Sequence, residues 1–382
     1  MTSARRGREV AGPFQRRWLP MDWNSALVGL ISIAALVIVS FAWLRAQAGD
    51  SDFLSFYAGA KLAGSPHLYS VQRVNAIQAN YARKPEEVRA YIRLPYYAAL
   101  LWPLGRLPYR KALVIWELIN IAALAGFILF WSPRAINFPL ACFYFPTWQG
   151  LMGGQDVPLV LLCFSASAFL LLRKRDVAAG LVMALCAAKF HIFLLLPLVI
   201  VARRLWRFGF GFATGSAVLL AACFAVGGRD WPARYYELIQ INERAQASQR
   251  HMPNLNGLFH AWPYATLWVA LFSVAVLVGT WYVARRVSLR DAMAFMLCGG
   301  LLVSLHAFIY DFCFLLPFFL LLAARRSFGQ VLFLSSAVGA ASLTLLAPSI
   351  SFLAPLATLS LFGAAVYEAY RETRRGMQPA GV

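Results

Sequence analysis

Apolar runs and short polar breaks alternate along the whole chain. Six runs, at 25–44, 112–131, 208–226, 263–283, 329–346 and 352–368, each approach the ~20 apolar residues that carry a helix across a bilayer. Six shorter or broken runs lie at 96–105, 157–172, 177–188, 190–202, 292–305 and 308–324. Together they predict an all-α polytopic membrane protein with about 12 transmembrane helices. A further stretch, 138–153, is interrupted by Pro139, Pro146 and Gly153-Gly154 and reads as a re-entrant or hooked segment. An amphipathic stretch around Tyr69–Tyr81 predicts a helix on the membrane surface, or else a plain solvated one.

The basic residues set an orientation. They cluster at Arg5–Arg17, Arg106–Lys111, Arg173–Arg175, Arg203–Arg207, Arg285–Arg290, Arg325-Arg326 and Arg371–Arg375. With twelve crossings and a hooked 138–153, every cluster and both termini fall on one side, which the positive-inside rule makes cytoplasmic. The first apolar run lacks a small-residue cleavage site and reads as an uncleaved helix. The predicted organisation is a cytoplasmic basic tail at 1–24, a transmembrane catalytic domain at 25–368 and a second basic tail at 369–382. Extracytoplasmic loops are expected at 45–95 and 227–262.

Composition agrees with a membrane protein: 60% of residues are hydrophobic and 13% charged, against about 25% charged in soluble domains. The net charge of +19 sits in short clusters between apolar runs, so it describes topology and not nucleic-acid binding. The six cysteines lie in or beside apolar runs without a CxxC pair. They read as small buried hydrophobes, not as zinc ligands or a disulfide framework.

Polar residues of the apolar segments collect on the predicted extracytoplasmic side. Asp52 follows the first run, in GDSDFLSFYAGA; Gln155 and Asp156 follow the broken segment; Lys189 interrupts CAAKFHIFLLLP. His306, with Tyr310 and Asp311 one helical turn on, sits in SLHAFIYDFCFLLP. Ionisable groups at membrane depth are expensive and usually face a cavity. Each has a plainer alternative: a helix cap for Asp52, a snorkelling lysine for Lys189, a packing histidine for His306, structural pairing for Asp311, and satisfaction of broken backbone for Gln155. As a set they bring a carboxylate, an amine and an imidazole to one face. A carboxylate can take the proton of an attacking hydroxyl, and Lys and His can stabilise a departing phosphate. Transfer of a sugar from a lipid phosphate needs those two services. No Ser-His-Asp or HExxH signature is present.

At these residues the chain resembles the polyprenyl-phosphate-dependent glycosyltransferases of family 87, which have the GT-C fold. It looks like the mycobacterial mannosyltransferases that extend phosphatidylinositol mannosides. The resemblance runs from about residue 50 to 320 through DFLSFYAGAKL, LYSVQ, YIRLPYYAALLWPLGRLP, GGQDVPLVLL, AAKFHIFLLLP, MPNLNGLF and SLHAFIYDFCFLLP. It departs from the family where Pro95-Tyr96 replaces Pro-Pro and where Ser304-Leu305-His306 replaces Ser-Pro-His. The resemblance implies a general base at Asp52, donor-phosphate binding by Lys189 and His306, and substrate contacts from Tyr57, Gln155, Asn254, Tyr310 and Asp311. It implies a polyprenyl-phosphate sugar donor, carrying mannose by that likeness, and a lipid-linked or cell-envelope glycan acceptor. It also implies inversion at the anomeric carbon, a multi-pass protein of the bacterial inner or plasma membrane, and an extracytoplasmic site among membrane lipids. No cofactor is expected. The Asp-x-Asp of GDSD suggests a metal in other glycosyltransferases, but the likeness puts the weight on Asp52 alone, so no essential metal is expected. The alternatives are a lipid-glycan flippase or secondary transporter, and a non-catalytic accessory subunit. The paired broken helices of an inverted repeat, which mark many transporters, are not visible.

Overall fold

The structure is a computed structural model and describes residues 23–47, 51–83, 90–245, 251–347 and 349–377. The expected basic tail at 1–24 lies almost wholly outside these residues, as does Asp50 of the Asp-x-Asp pattern, whereas 369–377 of the second expected tail continue the last helix. Among the described residues the chain is all helical. In order the α-helices are α1 (Trp23–Gln47), α2 (Phe53–Lys61), α3 (Val71–Gln78), α4 (Pro95–Gly105), α5 (Tyr109–Trp131), α6 (Asn137–Cys142), α7 (Phe145–Met152), α8 (Val157–Leu172) and α9 (Asp176–Ala184). They continue as α10 (Leu196–Arg203), α11 (Trp206–Gly227), α12 (Trp231–Ala245), α13 (Leu255–Phe259), α14 (Ala265–Ala284), α15 (Leu289–Val303), α16 (Leu316–Leu322), α17 (Phe328–Leu343) and α18 (Leu353–Met377). Tighter 3-10 stretches, Leu185–Phe193 and Ile309–Leu315, lead into α10 and α16. Seven of the described helical segments are long and apolar enough to cross a membrane. The protein is an all-α polytopic membrane protein.

Side-chain contacts fix the direction of each helix. Val177 meets Gly211 and Ala184 meets Gly215, so α9 and α11 run parallel. A Cβ at Gly180 would lie 2.2 Å from the carbonyl of Phe208; only glycine lets these two backbones close to that distance. Likewise Trp116 Nε1 donates to the Gly154 carbonyl at 2.8 Å, while Gly126 meets Leu162. Helices α5 and α8 are therefore parallel, and both begin at the end of the bundle that carries Asp52.

Two expectations change as a result. Helix α4 was expected to cross; it covers only eleven residues, about 16 Å, and both its ends pack on elements of the Asp52 end. Pro95 meets Gly227, and Gly105 meets Ala60. The stretch 138–153 was expected to hook back. Instead α6 starts beside the beginning of α1, where Phe138 meets Gly29, and α7 finishes beside Tyr310 at the Asp52 end. Pro146 sits in the first turn of α7, where its missing N–H costs nothing. It marks a helix start, and the sharp bend of 118° comes later, between α7 and α8. The two changes offset in the number of passes but move one basic cluster: Arg106–Lys111 lies at the Asp52 end. The clusters at Arg173–Arg175, Arg203–Arg207, Arg285–Arg290 and Arg325-Arg326 stay at the opposite end, where Arg203 bonds the Val287 carbonyl and Arg325 bonds Asp291.

The core divides in two. A large apolar cluster fills the bundle from α5 through α18. A smaller, aromatic cluster covers the Asp52 end and is built from α2, α4, the start of α5 and the loops around them. Phe53 stacks on Tyr109 and Trp116, and Phe56 packs edge-on against Tyr97 and Trp116. This aromatic platform fixes the backbone on either side of Asp52. The amphipathic helix expected near Tyr69–Tyr81 is α3, tied down where the Tyr69 hydroxyl donates to the Arg93 carbonyl at 2.9 Å. The six cysteines are free and buried or half-buried.

Candidate active site

Asp52 precedes α2, but its carboxylate makes no capping bond to that helix. One carboxylate oxygen instead accepts from Gln155 Nε2 at 2.5 Å. The backbones of the two loops are also joined, with the Asp52 N–H donating to the Gly153 carbonyl at 2.7 Å. Gly154 makes this meeting possible. Its φ is +66°, and a Cβ there would lie 2.1 Å from Ser51 Oγ and 2.9 Å from Phe53 Cβ. A Gly154→Ala variant is expected to lose about 2 kcal/mol of stability, since a left-handed φ alone costs an alanine 1–2 kcal/mol and the contact adds to it. Its thermal unfolding temperature in detergent should fall accordingly.

Gln155 is itself oriented. Its Oε1 faces Arg93 Nη2 at 3.5 Å, which turns the amide nitrogen toward Asp52. Arg93 grips Asp156 with two parallel bonds of 3.1 Å, from Nε and Nη2, and lies over the Phe56 ring at 4.9 Å. Asp156 is fully buried. Burial pulls the Arg93 pKa down, but the charge and hydrogen bonds of Asp156 outweigh it, so the guanidinium is held above its ordinary value. The result is a chain of contacts, Asp156–Arg93–Gln155–Asp52, with a fixed cation at its centre. Arg93→Lys keeps the charge and loses the two-pronged grip. It is expected to cost about 1–2 kcal/mol in thermal unfolding and to free the Gln155 amide.

A second group lies beside the first. Lys189 Nζ pairs with Asp311 Oδ1 at 2.7 Å, and both side chains are buried. The ammonium also sits 4.7 Å from the centre of the Tyr310 ring. Lys189 breaks the helix that follows α9, with φ −130° and ψ 48°, so the chain turns at the residue whose charge is used. Asp311 Oδ2 accepts from the Phe308 N–H at 2.8 Å and so also pins the loop that carries His306. His306 is half-buried and packs edge-on against Phe308, centroids 4.4 Å apart. Asn254 holds this loop from the other side: its Nδ2 donates to the Ser304 carbonyl at 2.8 Å while its Oδ1 accepts from the Gly257 N–H at 3.0 Å. Gly300 lets α15 close on the 3-10 stretch, since a Cβ there would lie 1.9 Å from the Ile192 carbonyl. Lys189 is within electrostatic reach of Asp156, and Tyr310 of Arg93, so the two groups are electrostatically coupled.

The residues singled out in the sequence therefore separate by task. Asp52 and Gln155 meet directly, as do Lys189, Tyr310 and Asp311, with His306 on the adjoining loop. Tyr57 and Asn254 are buried and spend their polar groups on the backbone. The Tyr57 hydroxyl donates to the Leu107 carbonyl at 2.7 Å, and burial with the neighbouring Tyr81 hydroxyl pushes its pKa up to about 12, so it remains a donor. Arg93 and His191 escaped sequence reasoning. His191 lies within reach of Asp311, Lys189, Arg93 and His306. Arg93 carried one signal, a lone cation in the apolar stretch YIRLP. Among the described residues no group of three or more His, Cys, Asp or Glu side chains converges as a metal site.

Set beside known proteins, the chain matches the family model of glycosyltransferase family 87 over residues 91–309, more than half its length. The matched region holds Arg93, Gln155, Lys189, Asn254 and His306; Asp52 and Tyr57 precede it, and Tyr310 and Asp311 follow it. No curated protein and no solved structure matches.

Proposed function

The chain belongs to glycosyltransferase family 87, and we propose that this membrane glycosyltransferase moves a hexose, mannose by family likeness, from a polyprenyl phosphate to a hydroxyl of a lipid-linked or cell-envelope glycan. The observation that carries the reading is the Asp52 carboxylate, which leaves its own helix uncapped and is held by Gln155, itself oriented by Arg93, at the mouth of the bundle. Asp52 takes the proton of the acceptor hydroxyl as its oxygen attacks the anomeric carbon. The bond from that carbon to the phosphate oxygen breaks, and the electron pair leaves with the polyprenyl phosphate. Displacement from the opposite face inverts the centre, so a β-linked donor gives an α-linked product.

Lys189 and His306 receive the phosphate. An ammonium has three donors; Lys189 gives one to Asp311 and can give another to a phosphate oxygen without leaving its partner. Tyr310 and Asp311 shape the sugar pocket from the same turn. Arg93, Tyr57 and Asn254 act as positioning residues. Four basic clusters lie at the far end of the bundle against one, Arg106–Lys111, at the Asp52 end, and by the positive-inside rule that majority supports an extracytoplasmic face for this chemistry. The test is transfer by purified protein in vesicles, from radiolabelled polyprenyl-phosphate mannose to extracted membrane lipids, with and without EDTA. An α-linked labelled product supports the proposal. Intact donor carried across the bilayer with no new bond supports a flippase and overturns it.

A further inference from the structure

A wide apolar groove lies far from the site, between α14 and α18. It has a volume of about 680 Å³ and is lined by Leu271, Val274, Val278, Gly363, Val366 and Tyr370 among others. Gly363 leaves it open, since a Cβ there meets nothing within 4 Å. Its lining is exposed, with Leu271 and Val274 each at 56% and Val278 at 62%.

The groove has direction and length. Helix α14 ends at Arg285 and Arg286, at the end of the bundle opposite Asp52. From Leu271 to Tyr282 it rises roughly 17 Å, close to the ~15 Å of one leaflet's hydrocarbon. At the far end two aromatic side chains of the lining meet basic residues. Arg286 lies over the Tyr282 ring at 3.8 Å, and Arg371 lies 5.8 Å from the centre of the Tyr367 ring. The nearby Glu368 is already paired with Arg326, so it does not cancel these two charges. An apolar slot one leaflet long, with a guanidinium group beside each of the lining tyrosines Tyr282 and Tyr367, matches a molecule with a hydrocarbon tail and an anionic head.

We propose that this groove seats an acyl chain of an anionic glycerophospholipid from the leaflet away from the catalytic residues, with its phosphate on Arg286 and Arg371. The site is separate from the donor and acceptor sites, and it holds whether or not the glycosyl-transfer reading does. It gives the protein a resident lipid wedged between α14 and α18, the two helices of the groove.

The experiment uses purified full-length protein in vesicles of equal parts phosphatidylglycerol and phosphatidylcholine. Retained lipid is counted by native mass spectrometry after mild detergent extraction. The wild type should retain phosphatidylglycerol in preference to phosphatidylcholine. Gly363→Trp, which fills the slot, should lose the retained lipid. Arg286→Gln and Arg371→Gln leave the packing intact and should lower the headgroup preference by roughly fivefold each, from the electrostatic contribution of one basic residue near anionic lipid. Unfolding temperatures of all three variants separate a filled groove from a misfolded one. Equal retention of both lipids by the wild type, or an unchanged preference in the two arginine variants, overturns the proposal. So does a wild-type dimer that Gly363→Trp dissociates, because a second copy would then cover the groove.

Discussion

Asp52→Asn is expected to fold as well as the wild type and to transfer sugar about a thousandfold more slowly. Stability should hold because asparagine can keep the bond to Gln155 that the structure gives this side chain. The carboxylate makes no capping bond to α2, and the amide oxygen of asparagine can still accept from Gln155 Nε2. The backbone bond from residue 52 to Gly153 does not involve the side chain. A change of this kind, away from buried charge and cavity, is usually within about 0.5 kcal/mol. Rate should fall because asparagine cannot take the acceptor proton, and a positioned base contributes 10²–10⁴-fold. The loss should appear in kcat, with donor KM little changed, since the phosphate is held elsewhere. A Gln155→Ala variant gives the scale for positioning alone and should lose far less. Residual activity above a tenth of wild type in Asp52→Asn would remove Asp52 from the role of base.

The sequence made the long elements easy to read and the short ones hard. Long apolar runs such as 25–44, 208–226 and 263–283 became α1, α11 and α14 within a few residues, since twenty apolar residues have few other uses. The errors came where proline interrupts an apolar run. Pro146 reads equally as a break in a segment or as the first turn of a new helix, and nothing local separates the two. The contact of Phe138 with Gly29 does separate them, but it spans more than a hundred residues. The same limit applies at the site. Asp52, Gln155, Lys189 and Asp311 stood out because charge or amide in an apolar run is costly. Their pairing was not visible: Lys189 meets Asp311 across 122 residues, and Arg93 meets Asp156 across 63. Arg93 was missed for that reason, because its importance lies in whom it touches.

The pair of Lys189 and Asp311 should give the largest change in stability. Both are buried, at 2.7 Å, so removing either partner strands a charge in an apolar interior, which typically costs 3–5 kcal/mol. Lys189→Met and Asp311→Asn should each unfold at much lower temperature. The double variant Lys189→Met, Asp311→Asn carries no stranded charge, and its asparagine still accepts from the Phe308 N–H. It should recover most of the loss, and the double-mutant cycle should show a coupling of roughly 2–3 kcal/mol. Activity then separates two roles that stability cannot. If Lys189 serves only to neutralise Asp311, the folded double variant transfers sugar at close to the wild-type rate. If its remaining donors bind the donor phosphate, the double variant folds and stays inactive, with donor KM raised more than tenfold. We expect the second outcome, because the chain breaks its helix at Lys189 to bring this one ammonium beside Tyr310, on the turn next to His306. On that outcome Asp311 is the counter-ion that positions a phosphate-binding amine before the donor arrives.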